Sequence, residues 1–281
     1  TRPAAPISKG EAGFHHDVGE KISSILSSSG LNETVTFSFM HPDQLKKLLF
    51  KDGDAVYNAV PILNPITEDF PLMRTTLIPT LMDVLVRNQA VKNPSVGIYE
   101  IAPVYRPKQL PLTELPEQEF YVTGLLYGQR TAAEWPAKAE NYDFYDVKGL
   151  VEAVLQGLGI QADLEVSDWA PLHPGKAARY VKDGKVLCDF GELHPKAVDN
   201  YDVAGPVYVF EMHMDAILPL VNLLPDYHKV AKFPASSRDL AFLAPLATTN
   251  ADIVDVIKED GGENLEAVHL FDMYTGKQVP Q

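Results

Sequence analysis

The sequence predicts an α+β fold: a mostly antiparallel sheet with flanking helices, followed by a shorter strand–helix–strand module. Helical and extended segments mix without the regular strand–helix alternation of a parallel sheet. Of the 281 residues, 46% are hydrophobic and 22% are charged, both near the average for globular proteins. The 22 prolines stand mostly at segment edges, which indicates many short elements. This length favours about two domains.

Apolar residues recur at helical spacing in several segments of the larger domain. The predicted helices are His15–Ser28, a short helix that begins at Pro42, Leu72–Asn88, Asp143–Leu158 and Asp215–Leu224. Leu72–Asn88 is apolar over more than one face, which predicts burial on two sides, one of them against another subunit. Pro79 would lack an intrahelical hydrogen bond in this segment, so we expect a kink there.

Extended segments rich in β-branched and aromatic residues lie between these helices. The predicted strands are Thr34–Phe39, Val96–Tyr105, Phe120–Tyr127, Leu164–Val166, Ala178–Val181, Lys185–Phe190 and Val207–Met212. Asp183-Gly184 separates two of them and is a strong hairpin signal.

A linker around Leu224–Phe233 divides the chain into predicted domains of residues 1–225 and 226–281. The second domain has a strand–helix–strand pattern over Asp239–Leu243, Ala251–Asp260 and Leu265–Tyr274, with Asn250 as a possible cap. This order matches the front half of a ferredoxin-like unit. We expect a module cut short, because the strand that normally separates the first two is missing.

Charge and composition exclude several classes of protein. The chain has 24 basic and 38 acidic residues, a net charge of −14, which repels polyanions, so any RNA contact must be local or must rely on another chain. No apolar run approaches the roughly 18 residues that cross a bilayer, and no signal peptide is recognisable, so we expect a cytoplasmic protein without membrane contact. The single cysteine, Cys188, excludes a disulfide framework and a cysteine-based metal site.

The residues that come nearest to a reactive site are His173, Glu192 and His194. They would suit a metal-dependent hydrolase, but the spacing supplies no convergent set of three or four ligands. Each histidine precedes a proline, which favours histidines that fix a loop. Nucleophile and phosphate-loop motifs are absent. From the residues alone, the sequence is that of an α+β domain without a recognisable catalytic, metal or phosphate-binding motif.

Six stretches, in order, resemble the bacterial phenylalanyl-tRNA synthetase β subunit. They are Asn64–Glu68 with Met73–Pro79, Ile98–Ile101, Leu172–Ala177, Gly191–Pro195, Phe233–Leu240 and Leu270–Gly276. The resemblance implies a class II aminoacyl-tRNA synthetase-like fold for the larger domain, followed by a truncated ferredoxin-like module. A further implication is an α2β2 heterotetramer that uses ATP and magnesium to join phenylalanine to its tRNA, with the active site in the α subunit. It also implies that further N-terminal modules would precede Thr1, so the chain is expected to be a fragment.

The same resemblance predicts that this module is catalytically inactive, with no catalytic residue and no metal ligand. A working class II site has an Arg-x-Glu strand motif whose arginine binds ATP. Here Glu100 matches the glutamate, but Ile98 stands at the arginine position. An alkyl group cannot form the bidentate contact that a guanidinium makes with phosphate. The third class II motif, Gly-x-Gly-x-x-Arg, would fall on Phe210–Ala216, which contains neither glycine nor arginine.

A further expectation concerns the contact with the α subunit. Met73, Arg74, Leu81 and Leu85 are predicted at the interface with the α subunit, Arg74 as a fixed ion-pair or carbonyl-capping residue. Truncation of Leu81 or Leu85 is expected to weaken heterotetramer assembly.

The family resemblance also assigns Asp272 and Tyr274 to contact with an anticodon base of tRNA-Phe. Their spacing of two would place both on one strand face. An ordinary pair of sheet residues is the alternative, and binding by this piece alone should be weak. A stand-alone RNA-binding scaffold derived from the synthetase also remains open as a function.

Overall fold

The structure is a computed structural model that describes residues 13–133, 135–136, 138–224, 227, 229–230, 232–245 and 247–274. The chain divides into two compact units, Thr1–Asp226 and Tyr227–Gln281. Among the described residues, no helix combines the length and the apolar character that crossing a bilayer requires.

The first unit contains six α-helices in its described part. They are α1 (Phe14–Ser28), α2 (Pro42–Lys47), α3 (Ile78–Ala90), α4 (Phe144–Gly157), α5 (Pro195–Asp199) and α6 (Met214–Ile217). Short 3-10 turns lie at Ala55–Tyr57 and Leu218–Leu220. The predicted helix Asp215–Leu224 is thus a single α-turn followed by a 3-10 turn that contains Pro219, whose ring cannot continue an α-helical ladder.

Ten strands accompany these helices. They are β1 (Asn32–Glu33), β2 (Phe39–Met40), β3 (Leu72–Met73), β4 (Ser95–Arg106), β5 (Glu117–Thr131), β6 (Glu140–Asn141), β7 (Asp163–Val166), β8 (Leu172–Lys182), β9 (Lys185–Leu193) and β10 (Val207–His213). Eight of them form one sheet in the order β1-β4-β5-β10-β9-β8-β7, with β6 beside β5. Among the described strands only the β1–β4 pair is parallel, so the predicted mostly antiparallel sheet is confirmed.

Helices cover both faces of the sheet. Helices α1 and α4 pack on one face around Tyr99, Phe190 and Phe210. Helices α3 and α5 pack on the opposite face, against the apolar side chains of Ile98 and Val209. The second face is the one that carries the candidate site.

Local signals set several of these elements. Asp143 caps α4 because its carboxylate accepts hydrogen bonds from the backbone N–H groups of Tyr145 and Asp146, at 2.7 and 3.1 Å. Between β8 and β9, Asp183 and Gly184 have φ angles of 50° and 73°. Two consecutive positive φ angles make the tight turn that the sequence predicts there.

The predicted helix Leu72–Asn88 is wrong at its beginning. Leu72–Met73 form strand β3, and the helix starts only at Ile78. Pro79 is therefore in the first helical turn, where its missing N–H interrupts no intrahelical bond, so the expected kink has no cause. The residues between strand and helix, from Arg74 to Leu77, are all buried.

The predicted strand Thr34–Phe39 is likewise replaced by the short strands β1 and β2. The backbone N–H of Thr36 donates to the Glu100 carboxylate at 3.3 Å instead of to a neighbouring strand. At this edge of the sheet, the Glu100 side chain thus accepts the hydrogen bond that the backbone of a neighbouring strand would otherwise accept.

The second unit contains helix α7 (Asn250–Gly261) and a 3-10 turn at Gly262–Asn264. The helix is confirmed, but its cap is Thr249 rather than Asn250, with the Thr249 hydroxyl accepting from the Asp252 N–H at 3.2 Å. The predicted strands over 239–243 and 265–274 are absent from these described residues. A strand requires a neighbour for its backbone hydrogen bonds, and no described segment of this unit supplies one.

Candidate functional site on the central sheet

A row of polar side chains crosses five adjacent strands on the second face of the sheet. Each member lies directly opposite the next in the strand register: Glu100 on β4, Thr123 on β5, Glu211 on β10, Asp189 on β9 and Arg179 on β8. The first four are buried, with at most 7% of their surface exposed. We refer to these five residues as the polar row.

Apolar side chains border the polar row on both sides. Ile98, Leu125 and Val209 form the parallel row next to it, under helix α3. Ala102 and Tyr121 belong to a small apolar cluster on its other side. Because buried polar groups are costly unless they are hydrogen-bonded, each member of the row requires partners within the protein.

Arg74 supplies the partner of Glu100. Its Nη1 lies 2.9 Å from Glu100 Oε1, and the two side chains are only 2% and 3% exposed. Arg74 Nε donates to the Pro103 carbonyl at 3.1 Å. The Thr36 hydroxyl donates to Glu100 Oε2 at 2.7 Å and accepts from Arg74 Nη1 at 3.0 Å. Both members of the ion pair thus form further hydrogen bonds with groups of the chain itself.

Thr76 supplies a partner of Glu211 from the same segment. Its hydroxyl donates to Glu211 Oε2 at 2.7 Å, and the backbone N–H of Leu77 approaches the same oxygen at 3.3 Å. Thr123 of the polar row donates to it at 3.2 Å. Burial raises the pKa of Glu211 to about 7, although these hydrogen bonds oppose the shift.

Asp189 and Arg179 close the row at its other end. Arg179 Nε lies 3.2 Å from Asp189 Oδ1, and the Ser167 hydroxyl donates to the same oxygen. Arg179 also forms an ion pair with the exposed Asp168. The Arg179 guanidinium is therefore held by two carboxylates.

A cavity of about 440 Å³ lies beside one end of the polar row, where Glu211, Asp189 and Arg179 line it. Its lining combines charged and aromatic groups, among them Phe50, Arg106, Trp169, Arg179, Asp189 and Glu211. Arg106 Nε is buried there without a hydrogen-bond partner among the described residues. The cavity is thus lined by both charged and aromatic side chains.

The predicted site residues fall into three places. Ile98 and Glu100 lie on the same face of β4, and Arg74 has the fixed ion-pair role predicted for it. Leu81 and Leu85 are fully buried in this chain's own core, packed in the same cluster as Ile98. The interface prediction for these two side chains must therefore be revised, because they have no surface left for a partner.

Asp272 and Tyr274 lie in the second unit, apart from the polar row in sequence. Both are exposed, and Tyr274 has 63% of its surface accessible. They are not on a strand, so the prediction that a strand presents them on one face is wrong for the described chain. Exposure leaves both side chains accessible to a ligand.

The histidines fix loops, as predicted. His173 Nδ1 accepts the Gly175 N–H at 2.9 Å, and His194 Nδ1 accepts the Lys196 N–H at 3.1 Å. Glu192 pairs with Lys176. Among the residues that the structure describes, no three histidine, cysteine or acidic side chains converge as a metal site would need. Cys188 is fully buried, and burial raises its pKa well above the usual value.

Sequence reasoning missed Thr76, Thr123, Asp189 and Glu211. The signal for Glu211 was present, since a single carboxylate interrupts the apolar strand β10. Asp189 similarly interrupts the run of apolar residues in β9. Their meeting in one row depends on the strand order, which places β10 between β5 and β9.

Comparison with known proteins identifies the family. Residues 1–214 match the model described as phenylalanyl tRNA synthetase beta chain CLM domain, and residues 231–281 match the ferredoxin-fold anticodon binding domain. The phenylalanine–tRNA ligase beta subunit of Clostridium acetobutylicum is 36% identical over 266 residues, 94% of this chain and 32% of that protein. The corresponding subunit of Geobacter sulfurreducens is 31% identical over the whole chain and 35% of its own length.

Solved structures show the same fold at lower identity. The pyrrolysyl tRNA synthetase of Desulfitobacterium hafniense superposes with a TM-score of 0.55 at 17% identity, covering 72% of this chain and 66% of that one. This likeness shows the class II synthetase fold alone. The chain spans about a third of the length of the curated relatives that it matches. From the match over residues 1–214 and the shared identity, this chain belongs to the phenylalanyl-tRNA synthetase β chain family.

Proposed function

We propose that this chain is a non-catalytic, structural part of the β subunit of a phenylalanine–tRNA ligase. The observation that carries the proposal is the Arg74–Glu100 ion pair. The glutamate that matches the class II motif is occupied by a guanidinium of the chain itself, and the buried Ile98 stands where an ATP-binding arginine is expected. The polar row thus has a structural use that needs no substrate.

The residues of this row do not fit the nucleotide that the family implies. Phosphate recognition requires a free guanidinium or ammonium group. Arg74 is bound to Glu100, and Arg179 is held by Asp168 and Asp189. Arg106, which also lines the cavity, forms an ion pair with Glu119 at 3.5 Å and donates to the Tyr121 hydroxyl at 2.7 Å. The turn from β10 into α6 contains neither glycine nor arginine. We therefore assign the use of ATP and magnesium to the whole enzyme, with the active site in the α subunit.

In this proposal the chain works within an α2β2 heterotetramer in the cytoplasm. Residues 1–225 would form the class II synthetase-like module, and residues 226–281 part of the anticodon-binding module. With Leu81 and Leu85 turned into the core, we assign the subunit contact to the outer face of α3, where Val86 and Arg87 are exposed. Met73, half-buried just before Arg74, stays a candidate for the edge of that contact.

An assembly experiment tests this function. The chain with Val86→Asp and the unchanged chain would each be mixed with the cognate α subunit and followed by sedimentation velocity. We expect a complex with the unchanged chain and weaker assembly with the variant, because a charge placed in an apolar contact must be desolvated. Failure of the unchanged, folded chain to bind the α subunit would contradict the proposed function.

The second module is proposed to support tRNA-Phe binding through Asp272 and Tyr274. A carboxylate can accept hydrogen bonds from a base edge, and a tyrosine ring can stack on an unpaired base. With a net charge of −14, the chain would bind RNA weakly by itself. In the assembled enzyme, Tyr274→Ala should raise the KM for tRNA-Phe about tenfold, the equivalent of one lost stacking contact. An unchanged KM would remove Tyr274 from the contact.

The alternative functions have less support. A metal-dependent hydrolase at His173, Glu192 and His194 would need histidine nitrogens with a free lone pair. Each Nδ1 accepts a backbone hydrogen bond, and the proton of the neutral imidazole is then on Nε2, so neither nitrogen is available to a metal. Glu192 is likewise engaged by Lys176. A stand-alone RNA-binding scaffold would need a basic surface, which the excess of acidic residues disfavours.

A further inference from the structure

Glu211 differs from the other buried carboxylates of the chain. Within the described residues, four acidic side chains are buried: Glu100, Asp189, Glu192 and Glu211. The first three each form an ion pair with an arginine or a lysine. Glu211 has no cation within ion-pair distance in the described chain, and its partners are two threonine hydroxyls and one backbone N–H. A buried charge without a counter-charge is costly, so this position requires an explanation.

One oxygen of Glu211 is unused. Thr76, Thr123 and the backbone of Leu77 all donate to Oε2. Oε1 accepts no hydrogen bond from any described residue, and Glu211 lines the 440 Å³ cavity. The carboxylate therefore has an unfilled acceptor at a cavity large enough for a small ligand.

The surroundings of Glu211 favour a positively charged ligand. Asp189 lies directly opposite Glu211 on the next strand, and its charge is already balanced by Arg179, which forms no ion pair with Glu211 in the described chain. Phe50 and Trp169 line the same cavity, with ring centroids 6.1 Å apart. Aromatic faces attract organic cations, tryptophan most strongly.

The chemistry of the cation follows from the number of ligands. A calcium or magnesium ion needs about six oxygen ligands, whereas the described residues contain no group of three acidic, histidine or cysteine side chains that could hold a metal. An ammonium group has three donors and needs only a few acceptors. We propose that the cavity beside the polar row binds a small organic ammonium ion through Glu211, a binding site separate from the structural role of the module.

Titration of the full chain with benzylamine tests the proposal, with benzyl alcohol as the neutral compound of the same shape. At about pH 8, where carboxylates are ionised, we expect benzylamine to bind at least about tenfold more tightly than benzyl alcohol in isothermal titration calorimetry. Equal affinities, or no saturable binding of benzylamine by the folded chain, would overturn the proposal.

A matched pair of variants locates the site. Glu211→Gln should weaken benzylamine binding at least about tenfold, since it removes the negative charge and keeps the shape. Glu192 is a buried carboxylate that does not line the cavity and is already paired with Lys176. Glu192→Gln should therefore leave the affinity for benzylamine unchanged. Undiminished binding by the folded Glu211→Gln chain would show that Glu211 is not the site.

The pH dependence of the unchanged chain gives a second measurement that needs no variant. The other titratable groups that line the cavity are Lys51, Asp54, Arg106, Asp168, Arg179, Asp189 and His213. Burial lowers the pKa of His213, so its imidazole stays neutral above about pH 6.5. Benzylamine affinity should therefore fall as Glu211 gains its proton on acidification from pH 8. An affinity that rises on acidification, or does not change, contradicts an ion pair with Glu211.

Discussion

The guanidinium of Arg74 lies 2.9 Å from the carboxylate of Glu100, and both side chains are almost wholly buried. The two residues are 26 positions apart, one in the segment before α3 and the other in the middle of β4. Their pairing fixes that segment over the sheet face. With Thr76 bound to Glu211 two residues later, the segment is attached to two of the five members of the polar row.

Removing the positive charge of this pair should be costly. We expect Arg74→Met to lower the free energy of unfolding by about 3–5 kcal/mol, because Glu100 would be left as an uncompensated buried charge. Urea denaturation at neutral pH measures the change. Lys46→Met, which breaks the exposed Lys46–Asp43 pair, is the control and should change the free energy of unfolding far less, because solvent screens an exposed pair.

The double variant Arg74→Met with Glu100→Met separates the ion pair from simple packing. Two apolar side chains leave no charge to be compensated, so the double change should cost less than the sum of the single changes. Strict additivity of the two single effects would show that the residues do not act as a pair.

The stability of the chain should depend on the protonation of Glu211. Its pKa is about 7 in the folded chain against 4.5 for an ordinary glutamate, so folding favours the protonated form. This contribution is complete below pH 4.5 and disappears as the pH rises through 7. Between about pH 5 and 8 the unchanged chain should lose up to about 3 kcal/mol relative to Glu211→Gln.

Urea titrations of both chains at several pH values measure this difference. The exposed Glu165 is a suitable control position, and Glu165→Gln should follow the unchanged chain at every pH. A difference between the Glu211→Gln and unchanged chains that stays constant from pH 5 to 8 would contradict the raised pKa.

Helix α3 should show a division between core and surface positions. Leu81→Ala and Leu85→Ala should each cost about 2–5 kcal/mol of stability, because both side chains are fully buried. Val86→Ala, at a position that is 37% exposed, should cost less than about 1 kcal/mol. Thermal unfolding of the three variants distinguishes the positions. Weakened assembly with unchanged stability in Leu81→Ala would restore that residue to the interface.

Gly191 should tolerate no side chain. A Cβ atom there would lie 2.2 Å from the backbone carbonyl oxygen of Lys176, and a neighbouring strand cannot move aside as a flexible side chain can. Gly191→Ala should therefore cost about 3 kcal/mol or more. Gly149→Ala, in the exposed part of α4 with nothing near its Cβ, should stabilise the chain by about 1 kcal/mol. Equal effects of the two substitutions on the midpoint of thermal unfolding would contradict this packing.

Elements with local signals were predictable from the sequence. Helix α4 has a single apolar face and a capping aspartate, and the β8–β9 hairpin has Asp183-Gly184 at its turn. Each signal lies within the element that it defines. The structure confirms helix α4 to within one residue at each end. It also confirms the hairpin turn, although β8 begins at Leu172, six residues before the predicted Ala178.

The polar row was not predictable, because its members meet through strand order and register. Glu211 and Asp189 are 22 residues apart and become neighbours only when β10 pairs with β9. The beginning of α3 was misjudged for a related reason. Leu72, Met73 and Leu77 have helical spacing, but Arg74 and Thr76 are drawn away from a helix by Glu100 and Glu211. Tertiary partners thus overrode the local pattern.

The most direct test of a non-catalytic module is a calorimetric titration of the full chain with magnesium-ATP. The account predicts no saturable binding in the millimolar range, because Ile98 lacks a guanidinium and Arg74 is committed to Glu100. Saturable binding that is lost on replacement of Arg106 or Arg179, the arginines that line the cavity, would contradict it.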